Sequence, residues 1–94
     1  MKMHTVTLSL QQEALPVVKS SLELKKKSLE FNLEHYRKRL QEFERKYGMN
    51  STEFIARFNK GELGDDPQWF EWEYLVEVYQ ETKKQLTLLE QIRL

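Results

Sequence analysis

The sequence predicts an all-α fold: two long helices forming a helical hairpin or coiled coil with a short connecting helix, preceded by one short N-terminal β-strand that can pair between chains. Three observations lead there. Two long segments carry apolar residues in steps of three and four. Gly48, Gly61, Gly64 and Pro67 gather between those segments, where helices would stop and restart. A single run, His4–Leu10, alternates with period two. The 94 residues form one helical domain, 1–94: strand and connector over 1–15, a long helix over 16–47, a short helix over 51–60, and a second long helix over 66–94.

The strand rests on Val6, Leu8 and Leu10 alternating with Thr5, Thr7 and Ser9. A lone strand leaves its backbone donors and acceptors unpaired, so it would borrow an edge from a second copy or another protein. Pro16 suits a first helical turn, which starts the long helix there; Ser9 with Gln12 is an alternative cap for a short earlier turn. The seam then runs Leu22, Leu29, Leu33, Tyr36, Leu40, Phe43, Tyr47, interrupted by Lys26. Gly48 fits the left-handed position that ends a helix, and Asn50 with Glu53 reads as the capping box of the next. Phe54, Ile55 and Phe58 give that short helix its apolar face, and Gly61 closes it. Asp66 as N-cap and Pro67 as first helical residue open the last helix, whose seam is Trp72, Leu75, Tyr79, Thr82, Leu86, Leu89. Val76, Val78, Leu88 and Ile92 widen the seam, so this helix should meet more than one neighbour.

Composition narrows the function classes. Lys plus Arg equal Asp plus Glu at 15 each, so net charge gives no argument for nucleic acid or an anionic membrane. The distribution is uneven: residues 1–50 hold ten basic and six acidic groups, residues 51–94 five and nine. The halves are electrically complementary. Cysteine is absent, which removes disulfides, thiolate chemistry and Cys-based zinc sites. The first ten residues lack an apolar core of roughly 7–15 residues, and no segment approaches the roughly 18 needed to span a bilayer. The expectation is a cytoplasmic protein without a membrane segment.

Seven carboxylates, Glu62, Asp65, Asp66, Glu71, Glu73, Glu77 and Glu81, follow one another without an intervening Lys or Arg. Acids at a helix start favour the macrodipole and exposed faces need charge, so a solvated face explains much of this. The functional reading is a surface for a basic protein partner, built from Asp65, Asp66, Trp69, Phe70, Glu71 and Glu73, with Trp69 or Phe70 as an aromatic anchor inside a charged rim. Lys25–Lys27, Arg37–Arg39 and Arg45–Lys46 could meet phosphates, but Glu23, Glu30, Glu34, Glu42 and Glu44 interleave with them, and pairs such as Glu34 with Lys38 support the helix. No metal, cofactor or small-molecule substrate is expected: the aspartates lack calcium-loop spacing, His35 has no second histidine on its face, and the Glu-x-x-His set of a bundle metal site is missing. No nucleophile–base arrangement or phosphate-cradling loop suggests an enzyme.

The run Tyr47-Gly48-Met49, Ser51-Thr52-Glu53-Phe54, Phe58, Gly61 to Asp66 and Phe70-Glu71-Trp72 resembles a group of small uncharacterised prokaryotic proteins similar to antitoxin-type members of toxin–antitoxin pairs. The resemblance covers roughly residues 43–80. It implies a protein partner and no reaction. The strand-then-helix start is similar in outline to ribbon-helix-helix antitoxins, but the helix runs past 30 residues without their turn. The expected function is therefore an antitoxin-like interaction module that masks a basic protein. The alternatives are a self-assembling coiled-coil protein and, third, a nucleic-acid binder. A chain this small is expected to be a homodimer, with Val6, Leu8, Leu10, Leu29, Leu33, Tyr36, Leu40 and Phe43 as its oligomerisation residues; the seams bury the same residues whether they pair within one chain or between two.

Overall fold

The computed structural model describes residues 4–94; Met1–Met3, part of the expected strand and connector segment, lie outside the described residues. The described chain is helical: a single 3-10 turn, Gln12–Ala14, then α1 (Leu15–Tyr47), α2 (Ser51–Asn59) and α3 (Pro67–Glu90). In the single chain His4–Gln11 forms no ladder, and Val6 and Leu8 are exposed. A strand that pairs between chains needs its second chain, and only the carbonyl of Gln11, which accepts from Ala14 N–H, is tied to the helix that follows.

Local chemistry places the helix ends. The 3-10 turn leads directly into α1, with Ala14 N–H bonded to Gln11 O at 2.9 Å and Pro16 in the first helical turn. Gly48 ends α1 in the left-handed region at φ 66°, donating to Glu44 O at 3.0 Å. Asn50 Oδ1 accepts from Glu53 N–H at 2.8 Å, which is half of the expected capping box. The other half, Glu53 accepting from the Asn50 N–H, does not form. The Glu53 carboxylate turns outward to Arg57; the next N–H, that of Ser51, donates to Glu44 Oε2 at 2.7 Å, so a carboxylate from the end of α1 caps the positive end of α2. After α2 both bonds of a Schellman motif form, Glu62 N–H to Arg57 O at 3.1 Å and Gly61 N–H to Phe58 O at 3.0 Å, with Gly61 at φ 72°. Asp66 Oδ1 then accepts from Gln68 N–H at 2.9 Å and Pro67 opens α3. α3 stops at Glu90, short of the expected Leu94, because three-residue bonds from Gln91 to Leu88 O and Ile92 to Leu89 O tighten and end the last turn.

α3 runs back along α1. Near the corner, Lys46 Nζ and the Tyr47 hydroxyl both donate to Gln68 Oε1, and Arg39 meets Glu71; at the far end Lys19 and Leu22 share a shallow groove with Leu89 and Ile92. The molecule is elongated, 56 × 29 × 18 Å, close to the roughly 50 Å length of a 33-residue helix. Its core is densest at the corner. The Trp72 indole has no exposed surface; it stacks on Phe54 at 4.0 Å and 1° from parallel, and on Phe43 at 5.3 Å. Its Nε1–H donates to Ser51 Oγ at 2.9 Å, so one side chain of α3 locks onto α1 by stacking and onto α2 by stacking and a hydrogen bond. Leu40, Leu75 and Val76 extend the core; Leu29 and Leu86 are buried farther along, beside Thr82, whose hydroxyl is satisfied by Val78 O.

The expected oligomerisation residues thus divide. Leu29, Leu40 and Phe43 are buried within the chain, Tyr36 packs against the core, Leu33 is half-buried, and only the segment holding Val6, Leu8 and Leu10 lies exposed. The seam of α1 is consumed by the chain's own α3. A side chain already out of water gains little from a second copy.

Candidate interaction surface

The six expected partner-binding residues fall in different environments. Trp69 turns inward: its ring packs on Tyr47 at 4.7 Å and on Phe54 at 5.8 Å, and its Nε1–H is used by Leu63 O at 2.9 Å. It packs into the corner and stays half-buried there. Asp66 is occupied as the N-cap of α3, and Asp65 stands exposed in the turn before it. Glu71 accepts from Arg39 Nη2 at 2.8 Å, and Arg39 also holds Glu42 at 2.8 Å. Both carboxylates keep the Arg39 guanidinium more firmly protonated than usual. This is the one ion pair among the described residues that joins the basic and acidic halves; the others lie within single helices.

Phe70 and Glu73 remain available. Phe70 is 55% exposed, touching Phe58 edge-on, and Tyr74 one turn later is 59% exposed. Glu73, Glu77 and Glu81 follow at spacings of four, which with Phe70 and Tyr74 makes one stripe along the outer side of α3, its Glu73 and Glu77 edge bordering a groove shared with α1. None of the three glutamates forms an ion pair among the described residues. Tyr74, Glu77 and Glu81 are not among the six expected partner-binding residues, although both glutamates stand in the acidic run. Their signal is present in the spacing: these positions lie opposite the buried Trp72, Leu75, Val76 and Leu86.

Beside this stripe a groove of about 550 Å³ opens where α2 rests on α1 and α3. Leu40, Ile55, Val76 and Tyr79 contribute its apolar surface; Arg37, Glu73, Glu77 and Lys83 stand at its polar margin. A groove of this size with a few polar groups suits one or two side chains of a docked partner. Arg37 is held by Glu34, which pairs with it rather than with Lys38, and this bond lowers the Glu34 carboxyl below the usual glutamate range. Of the basic groups expected to meet phosphate, Arg37 and Arg39 are therefore already engaged by carboxylates. No three His, Asp or Glu side chains among the described residues gather around a common point suited to a metal ion. No helix among them is long and apolar enough to cross a membrane. No protein-family model matches the chain, and no curated protein or solved structure matches it either.

Proposed function

We propose that the chain is a small protein–protein interaction module of antitoxin-like type that binds and masks a basic protein partner in the cytoplasm and carries out no reaction of its own. The observation that supports this reading is the stripe of Glu73, Glu77 and Glu81 without ion-pair partners among the described residues, interleaved with exposed Phe70 and Tyr74. Exposed aromatics within a charged rim are the composition of a contact site: the rings supply desolvated area and the carboxylates steer and orient a basic surface. The neighbouring groove gives a projecting partner side chain somewhere to go. Asp66, Trp69 and Glu71 support the surface from behind by capping α3, filling the corner and tying α3 to α1.

Affinity capture of the tagged protein from its own cell extract, eluted by a salt gradient and read by mass spectrometry, tests the proposal. The wild type should retain one stoichiometric basic protein that salt releases. Glu73→Lys, Glu77→Lys and Glu81→Lys together should lose it while far-UV circular dichroism stays unchanged, because among the described residues these glutamates form no ion pair, and Glu81 accepts only a long, exposed bond from Gln85 on the same helix. Capture by the triple variant with equal yield and equal salt resistance would sink the proposal.

A further inference from the structure

α1 carries a second heptad row that its own chain leaves bare. Val17, Leu24 and Phe31 are spaced by seven, and they are 66%, 71% and 75% exposed. Leu22 and Leu29, which face α3, precede Leu24 and Phe31 by two residues. Two residues are ~200° of helix, so the bare row lies on the far side of α1 from the core. An exposed Phe, Leu and Val in one line over ~21 Å is a seam without a partner, since scattered surface apolar residues have no such register.

We propose that a second copy of this chain covers this row, with the two α1 helices antiparallel across a twofold axis at Leu24. The row is self-complementary in that arrangement. Val17 of each copy meets Phe31 of the other and Leu24 meets Leu24, so the three layers are similar in volume. A parallel pair would stack Phe31 on Phe31 and Val17 on Val17, one layer overfilled and one underfilled. On one flank Ser21 faces Ser28 of the second copy, and these small side chains let the helices approach. On the other, Lys27 stands beside Glu23 of the second copy, twice by symmetry. Neither group is in an ion pair among the described residues. Three layers make a small interface, which sets the dimer's dissociation in the micromolar range. The proposal does not depend on the masking surface, which lies on α3.

Sedimentation equilibrium of the full chain, from low micromolar to about 0.5 mM, should show a reversible monomer–dimer equilibrium. Phe31→Glu should raise the dissociation constant on the order of 100-fold, because it removes two buried rings per dimer and puts charge in their place, with helical circular dichroism unchanged. The chain has no native cysteine, so Val17→Cys mixed with Phe31→Cys should form the mixed disulfide under mild oxidation, and neither variant alone should cross-link. A monomer at every concentration overturns the proposal, as does a dimer that Phe31→Glu leaves untouched. Disulfides formed by the Val17→Cys variant with itself overturn the antiparallel arrangement. Phe31→Glu should retain partner capture through α3, which keeps failure here distinct from failure of the masking proposal.

Discussion

Ser51→Ala removes the acceptor of the Trp72 indole N–H, a donor on a side chain with no exposed surface and a bond of 2.9 Å. Stranding a buried donor costs about 1–3 kcal/mol, and the partial exposure of Ser51 places the loss in the lower half of that range. Trp72→Phe removes the donor itself. It keeps a ring between Phe54 and Phe43, so it costs less than the ~3–5 kcal/mol of truncating a buried tryptophan to alanine. In the Trp72→Phe background Ser51→Ala strands nothing, and its cost falls to within about 0.5 kcal/mol. The two positions are therefore coupled by roughly 1 kcal/mol. A 94-residue domain has about 5–14 kcal/mol of total stability, so all four proteins of the cycle stay folded and measurable. Urea unfolding followed by far-UV circular dichroism supplies the four free energies. Equal costs for Ser51→Ala in both backgrounds would refute the claim that this bond helps fix α2 to α3.

Three further outcomes follow from the geometry. Gly48→Ala should cost about 1 kcal/mol, seen as a melting temperature lower by roughly 4–8 °C; the cause is φ 66° alone, since an added Cβ meets nothing within 4 Å. Arg39→Ala should cost no more than about 1 kcal/mol in urea unfolding, because its pairs with Glu71 and Glu42 are half-exposed and screened; a loss of several kcal/mol would mean that the pair organises the fold. Glu34 should titrate below the ordinary glutamate range in carboxyl-detected NMR, with Arg37 as the cause. Its folded-state value is depressed, so its contribution is fully present above the unfolded value of about 4.3 and is lost as pH falls through the lower folded value. A midpoint at or above the ordinary value contradicts the pairing.

Much of the fold is legible residue by residue. Gly48, Asn50, Gly61, Asp66 and Pro67 punctuate the chain where their backbone chemistry says they should, because a left-handed φ, a side-chain acceptor and a missing N–H act within a few residues of themselves. The partner of a cap is less legible. Glu53 has the spacing to complete a capping box, yet Glu44 takes the neighbouring N–H, a choice that depends on how α1 and α2 meet. The candidate surface shows the same split. Phe70 is exposed and Glu73 half-buried at the margin of the groove, while Trp69, next door, is drawn inside.

The sequence by itself determined that the described chain is helical, near which residues the helices begin and end, and which stripe of each is apolar, because helical period and capping are local properties. Only the tertiary structure decided what each stripe meets. It gave Leu29, Leu40 and Phe43 to the chain's own α3, placed Trp72 between Phe43 and Phe54, and spent Glu71 on Arg39 while leaving Glu73, Glu77 and Glu81 without ion pairs among the described residues. The reason is that burial of apolar area is non-directional: the same seam is satisfied by any surface that fills it, and the choice lies in the packing of particular side chains over long separations in sequence.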